Sequence, residues 1–337
     1  MKNIRSFEEM NILPYFMAFF KYVIYGSSVF FTSELEKNVD VIDILALRFL
    51  MSFVVMWMLK TLRVIKIDVG IRAFIKKNPR TPFMRSLFLA AMFEPVLYMF
   101  FETFGISMTT NITTAVVLSL APIVSCIAEA FILKEKNTVL QKIFLAVGIV
   151  GVLYIALMTD TGDGENSALG ILFLFLAITS GALFAVFSRK SSKAFSSMEI
   201  TYVSCVLGAV VFNTVNVVRH LIFGDITAYF SPYYNVKNMI GFLFLGVLST
   251  IVATGMNNYA LSKMQVSSMA AFSGVSTMVT IIIGVFFRNE SLYYYHYIGL
   301  SLIITRMIGV SAISIVKDKK RTIDESKKRR KKAVQKL

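Results

Sequence analysis

The sequence predicts an all-α integral membrane protein with ten transmembrane helices arranged as two inverted five-helix repeats. The first observation is composition: 56% of the 337 residues are hydrophobic and 16% are charged, whereas about 25% are charged in soluble proteins. The second is a series of ten apolar runs, most of them near the ~20 residues that a helix needs to cross a bilayer. The third is a match between the two halves of the chain.

The ten apolar runs follow one another along the chain, with short gaps between most of them. They cover residues 12–31, 42–59, 83–105, 110–133, 139–158, 168–188, 198–218, 238–260, 266–287 and 294–316. Runs of this length and hydropathy predict transmembrane helices. No segment between them is long enough for a soluble catalytic domain, so we expect the function to reside in the membrane part.

The distribution of Lys and Arg predicts the orientation, because positive residues are enriched on the cytoplasmic side of membrane proteins. With the N-terminus inside, most of the 35 basic residues fall in cytoplasmic segments, and the opposite side is richer in acids such as Glu34, Asp160 and Glu165. Ten spans then place both termini in the cytoplasm of a cell-membrane protein. The formal net charge of +15 therefore reflects topology, and we expect no nucleic-acid partner.

A basic tail, residues 317–337, follows the last span. Clusters of Lys and Arg beside a transmembrane helix attract anionic lipid headgroups at about 1 kcal/mol per charge. No aromatic residues interleave with the basic ones, as they do in single-stranded nucleic-acid sites. We therefore expect a disordered cytoplasmic tail at the surface of the lipid bilayer.

The two halves of the chain match when one is shifted against the other by 155 residues, without a gap. Coinciding residues include Gly26 with Gly181, Ser107 with Ser262, Ala115 with Ala270, Phe131 with Phe286 and Glu135 with Glu290. The hydropathy of any ten-helix protein matches itself when the chain is shifted by five helices. The matched glycines and the acid after each fourth helix nevertheless favour a repeat. Because five is odd, the second half enters the membrane in the opposite orientation, which is typical of secondary transporters.

Four stretches are similar to those of a known family. They are Tyr25–Ser27 in the first span, Leu47–Phe49 in the second, Leu118–Glu135 in the fourth and Ser180–Ser192 in the sixth. Because of these four stretches, the chain resembles the EamA-type branch of the drug/metabolite transporter superfamily. The resemblance extends over nearly its whole length. It departs from the family pattern at Tyr25, where tryptophan is usual, at Thr277, where the second half lacks a proline, and at Arg306, where glycine is usual.

The resemblance implies two EamA-like five-helix repeats, here residues 1–158 and 168–316. It also implies a central cavity lined by helices 1, 3, 4, 6, 8 and 9, and export or exchange of small organic metabolites by alternating access. The metabolites are often amino acids or amphipathic compounds. Family membership does not fix the substrate, because function depends on the site.

Candidate substrate-binding residues in the third span are Glu94, Tyr98 and Glu102, whose four-residue spacing places them on one helix face. Charged side chains inside a span are costly and usually mark a pathway or a partner. Glu94 could bind a substrate amine or a proton, or it could form an ion pair that locks helices together. Pro95, and Pro122 in the fourth span, are candidates for gating or helix bending, because prolines commonly kink helices.

Lys21 lies deep in the first span and shares a face with Tyr25, a second candidate binding residue. An ammonium at that depth needs a carboxylate or carbonyl groups around it, or it loses its proton. Glu94 and Glu129 are the partners that we expect for it. The eighth span adds an uncharged polar stripe that could donate and accept hydrogen bonds from a substrate. Its candidate binding residues are Thr254, Asn257 and Asn258.

Three further charged residues are expected to have structural roles. We expect Arg48 to pair with Asp43. Arg306 could bind a substrate carboxylate, but its helix is peripheral in the family that the chain resembles, so we expect a structural pair for this arginine as well. Glu129 lies near the cytoplasmic end of its span, where its side chain could extend to water, as long charged side chains do near helix ends.

Other function classes fit the sequence less well. A membrane-embedded enzyme needs paired Asp residues, a Ser with a His, or metal ligands, but no Asp lies deep in a span, and His220 and His296 are far apart. A channel would have a ring of like charges or a filter-like carbonyl loop. We therefore expect a transporter without cofactor or metal, acting on a small-molecule substrate as a monomer or homodimer.

Overall fold

The computed structural model describes residues 12–68, 81–109, 117–118, 120–135, 138–159, 167–288 and 293–334. In this part of the chain every regular element is a helix and no strand is present, which confirms the predicted all-α class. Seven of the described helices are long and apolar enough to cross a membrane, and two shorter helices are also apolar. The protein is therefore a multi-pass membrane protein.

Within the described residues, ten helices follow the ten predicted apolar runs. They are α1 (Leu13–Leu35), α2 (Val41–Thr61), α3 (Thr81–Ala91, Met92–Leu97 and Tyr98–Ser107), α4 (Ala121–Ala128 and Glu129–Leu133), α5 (Val139–Thr159), α6 (Ala168–Ser191), α7 (Ser197–Phe223), α8 (Val236–Leu243, Phe244–Ala253 and Thr254–Lys263), α9 (Val266–Ala271 and Ser273–Arg288) and α10 (Tyr294–Val334). Residues 110–116, where the fourth run begins, lie outside the described residues. The basic tail, which we expected to be disordered, continues α10 as a helix up to Val334.

Local signals in the sequence explain where two of these helices begin. Ser196 accepts a hydrogen bond from the Glu199 backbone N–H (3.2 Å), and the Ser196 N–H donates to the Glu199 carboxylate (2.8 Å), which forms a capping box at α7. Asp40 accepts from the Ile42 N–H at the start of α2 (2.9 Å). Each such cap typically stabilises a helix by about 1 kcal/mol. At the other end of α7, Gly224 has a positive φ of 72°, which costs glycine little.

Four helices are irregular within their length, and α4 is one of them because its segment Glu129–Leu133 is π-helical. α3 breaks at Glu94, whose φ of −139° and ψ of 122° are extended rather than helical. Pro95 accounts for a break here, because proline lacks the N–H that the helix would need. α8 contains the π-helical segment Phe244–Ala253, and α9 is divided at Phe272. Irregular backbone at membrane depth is tolerated where protein or a cavity surrounds it instead of lipid.

The helices pack in a regular set of pairs. α2 lies along α7 and α5 along α10, while α1 packs against α8 and α9, and α6 against α3 and α4. Gly26 permits the contact of α1 with α9, because a Cβ there would lie 2.6 Å from the carbonyl oxygen of Ser276. Ala18, Phe184 and Leu261 are among the buried residues where α1, α6 and α8 meet. Beside this core the helices enclose a cavity.

Candidate functional site

A cavity of about 480 Å³ lies among helices from both halves of the chain. Helices α1, α3, α4, α6, α8 and α9 all contribute to its wall, as the family resemblance implied, and α5 and α10 each add one residue. Small-molecule sites typically have volumes of about 300–1,000 Å³ and combine a mainly apolar wall with a few polar groups. The cavity has these properties, and its charged groups are the main features to explain.

Six of the ten candidate binding and gating residues line this cavity: Lys21, Tyr25, Glu94, Tyr98, Pro122 and Asn257. Four others do not. Glu102 accepts a hydrogen bond from the Tyr98 hydroxyl (2.7 Å) and so lies behind it. Pro95 and Thr254 line a much smaller neighbouring space, where the Thr254 and Tyr25 hydroxyls are 3.4 Å apart.

Asn258 has a packing role in the structure. Its side chain is fully buried, with Nδ2 donating to the Thr201 hydroxyl (3.0 Å) and Oδ1 accepting from the Ser188 hydroxyl (2.7 Å). These two bonds tie α8 to α6 and α7. A substrate in the cavity would meet Asn257 and not this neighbour, because successive residues of a helix point about 100° apart.

Pro122 lies in the first turn of the helical segment Ala121–Ala128. A proline is favoured there, since the N–H that it lacks would have no intrahelical acceptor. Residues 110–116 and 119 of the fourth span lie outside the described residues, so the expectation that Pro122 bends this span or serves a gate stays a prediction. The residue does face the cavity. Pro95, in contrast, lies directly after the break in α3.

Lys21 is held by aromatic rings. Its Nζ lies 3.7 Å from the ring centroid of Tyr22 and 4.1 Å from that of Tyr25, and such cation–π contacts stabilise a poorly solvated ammonium. Of the two expected partners of Lys21, Glu129 is paired with Arg189 instead. Glu94 interacts electrostatically with Lys21, without an ion-pair contact among the described residues. Glu94 nevertheless faces the same cavity.

Glu129 does not extend to water. Its carboxylate is fully buried, pairs with Arg189 Nη1 (3.1 Å) and accepts hydrogen bonds from the backbone N–H groups of Val266 (2.8 Å) and Ser267 (3.3 Å). Arg189 Nη2 also pairs with Glu135 (2.9 Å). The first turn of a helix attracts a carboxylate because its N–H groups point outward. This cluster joins α4 to α6 and to the start of α9.

Arg48 was also assigned the wrong partner. Its Nε donates to the Thr250 hydroxyl (2.7 Å) and its Nη2 to the Ser249 hydroxyl (3.1 Å), so it links α2 to α8. Asp43 instead accepts from the Asn216 amide (2.8 Å) and lies 2.8 Å from His220 Nε2. Both sets of contacts join residues that are far apart in the chain, which is why spacing along one helix did not reveal them.

Six polar residues that line the cavity were not among the predicted binding residues. They are Tyr22, Ser125, Ser273, Ser276, Thr277 and Arg306. Tyr22 could have been found, because its position three residues before Tyr25 places both rings on one face. The hydroxyl residues gave no usable signal, since small polar residues in membrane helices more often serve packing. Arg306 was expected in a structural pair; among the described residues its side chain instead donates a hydrogen bond to Ser273 and lines the cavity.

Comparison with known proteins supports these observations. Residues 12–157 and 168–312 each match the model of the EamA-like transporter family. The chain is 31% identical over 298 residues to the "Uncharacterized transporter YcxC" of Bacillus subtilis, covering 88% of this chain and 92% of that protein. It is 23% identical over 301 residues to the "Uncharacterized transporter YetK" of the same species, covering 88% and 84%. A solved crystal structure covers 89% of this chain and 96% of its own, with a TM-score of 0.68 and 14% identity, which shows a likeness of fold alone.

Proposed function

The protein belongs to the EamA-like transporter family, and we propose that it moves a small organic metabolite across the cell membrane by alternating access. The solute is amino-acid-like or amphipathic, and transport is export or exchange. The two relatives described above are named transporters rather than enzymes. Substrate class and direction are inferred from the cavity and the family, so each needs its own test.

The observation that carries this proposal is the cavity of about 480 Å³ between the two halves of the chain. The first half contributes Lys21 and Glu94 to its wall and the second contributes Asn257 and Arg306. Ionisable residues in transmembrane segments are expensive and typically face a substrate pathway. A solute bound here would contact both halves, as alternating access requires.

The pattern of helix packing supports an inverted repeat. Each helix of one half corresponds to the helix with the same place in the other half, so that α1 corresponds to α6, α3 to α8 and α4 to α9. The contacts of α1 with α8 and α9 then correspond to those of α6 with α3 and α4. The contact of α2 with α8 likewise becomes that of α7 with α3. The 155-residue shift also moves the π-helical segment Met92–Leu97 into Phe244–Ala253. Broken helices at matching positions of two repeats are typical of secondary transporters.

The cluster of Arg189, Glu129 and Glu135 supports a gate at one end of the cavity. Arg189 belongs to the second half and both glutamates to the first, so a relative movement of the halves would break these ion pairs. The charge distribution along the chain supports a cytoplasmic position for this end of the cavity and for both termini. We infer that the structure represents a state closed at that end.

Transport can be tested with the purified protein in liposomes. A thermal-shift screen against metabolites identifies candidates, because a ligand that binds the folded state raises its stability. Counterflow of a labelled hit should then saturate with concentration, whereas unsaturable flux would indicate a channel. Saturable counterflow of no hit would contradict the proposal.

Glu94→Gln tests the role of the cavity carboxylate. We expect the variant to fold normally and to lose or uncouple transport, because the amide removes a charge from the solute pathway without changing its shape. Glu36→Gln, at an exposed carboxylate just after α1, is the matched control and should transport normally. If Glu94→Gln fails to fold while the control folds, Glu94 is structural.

A further inference from the structure

Arg306 is a buried cation with few hydrogen bonds. Its side chain is 1% exposed and belongs to the apolar part of α10. Among the described residues its one hydrogen bond runs from Nη2 to the Ser273 hydroxyl (3.2 Å), and Nε has no acceptor. A guanidinium has five N–H donors, and burying it without a counter-charge costs several kcal/mol. The fold keeps this largely unpaired guanidinium at a position where its side chain lines the cavity.

Two glycines form a slot that this side chain fills. A Cβ at Gly148 of α5 would lie 2.1 Å from Arg306 Cδ and 2.6 Å from its Nε. A Cβ at Gly274 of α9 would lie 2.9 Å from Nη2. Because neither helix has a side chain at these positions, an arginine on α10 can pass between them and enter the cavity.

The charges around the cavity are not balanced. Lys21 and Arg306 contribute two cations to its wall, against one carboxylate from Glu94, within the described lining. The Lys21 ammonium already lies over two tyrosine rings, so Arg306 is the cation with the most unused donors. Its planar fork can donate two parallel hydrogen bonds to a carboxylate.

From this slot and the unused donors we propose that Arg306 binds the carboxylate of the transported solute. Ser273, which already contacts Nη2, lines the cavity beside it and adds a hydroxyl to the same subsite. The substrate class is therefore a small organic acid, or an amino acid whose amine faces Glu94. This subsite rests on the transport function proposed above, but binding can be measured without transport.

The binding test uses benzoate and its uncharged analogue benzamide with the full-length purified protein. Benzoate should raise the unfolding temperature and benzamide should not, which separates recognition of the charge from partition into detergent. Arg306→Met should abolish the benzoate shift. Arg306→Lys should weaken benzoate binding by about tenfold or more, because lysine keeps the charge but lacks the planar fork that donates two parallel hydrogen bonds. Equal shifts with both probes, no benzoate shift, or a benzoate shift that survives in Arg306→Met would overturn the proposal.

Two further variants separate the subsite from folding. Gly148→Ala should displace the guanidinium and reduce benzoate binding, whereas Gly255→Ala in α8 should retain it. Gly255 is the control, because a Cβ there would lie 3.4 Å or more from its nearest neighbours, the side chains of Met198 and Thr201. Ligand-free Arg306→Met should be at least as stable as wild type, since a buried unpaired charge is removed. A marked loss of its stability would indicate a structural arginine and overturn the proposal.

Transport readouts distinguish failure of the subsite from failure of the function. If benzoate binds through Arg306 but no carboxylate solute undergoes counterflow, the subsite stands and the transport proposal fails. If an uncharged or cationic solute undergoes counterflow equally in wild type and Arg306→Met, transport stands and the subsite proposal fails.

Discussion

Removing Arg189 should destabilise the cluster that closes one end of the cavity. Arg189 is the cation for two carboxylates, Glu129 at 3.1 Å and Glu135 at 2.9 Å, and Glu129 is fully buried. Arg189→Gln therefore removes this cation from a carboxylate in the protein interior. Breaking a buried ion pair in this way typically costs about 3–5 kcal/mol.

Two features reduce that figure here. The Arg189 side chain is 14% exposed and that of Glu135 is 25% exposed, so water screens part of the interaction. The backbone N–H groups of Val266 and Ser267 still donate to Glu129 in the variant. We therefore expect Arg189→Gln to lower the free energy of unfolding by about 2–3 kcal/mol.

The assay is denaturant unfolding of purified variants in mixed detergent micelles. Lys190→Gln, at the exposed neighbour of Arg189, controls for the loss of one positive charge and should be close to wild type. Adding Glu129→Gln to Arg189→Gln should recover part of the loss, because the buried charge is then gone. If Arg189→Gln has wild-type stability, or if the double variant is less stable than either single one, the reasoning about this cluster is refuted.

Two other predictions address the site and the topology. Asn258→Ala should lower the free energy of unfolding by about 1–3 kcal/mol, because in the protein interior the Ser188 hydroxyl loses its acceptor and the Thr201 hydroxyl loses a donor. Asn257→Ala should instead keep wild-type stability and lose counterflow. A loss of stability in Asn257→Ala, with a loss of counterflow alone in Asn258→Ala, would contradict the placement of Asn257 in the cavity and Asn258 in packing. Ser167→Cys, just before α6, should react with an impermeant thiol reagent in intact cells, whereas Ser326→Cys should not. The reverse labelling would overturn the proposed orientation.

The family and the helical spans could be predicted because both depend on local features of the sequence. The sixth apolar run was predicted at residues 168–188 and α6 is Ala168–Ser191. Length and hydropathy define such a segment whatever surrounds it. The break at Glu94 was partly foreseeable for the same reason, since Pro95 removes a backbone N–H wherever it lies in a helix.

The contacts of the charged residues could not be predicted in the same way. Glu129 is bound by Arg189 and by the N–H groups at the start of α9, and Arg48 by hydroxyls of α8. Each contact joins segments whose relative position is set by packing of the whole bundle. Reasoning from neighbours on one helix therefore assigned Arg48 to Asp43 and Glu129 to water.

By itself, the sequence determined that the protein is helical, lies in a membrane and resembles one transporter family. The tertiary structure decided which residues face the cavity: Asn257 but not Asn258, and Arg306 from an outer helix. The physical reason is that these helices are apolar on nearly all sides, so hydrophobic periodicity does not fix their rotation. Rotation depends instead on close contacts between helices, such as the slot of Gly148 and Gly274 around Arg306.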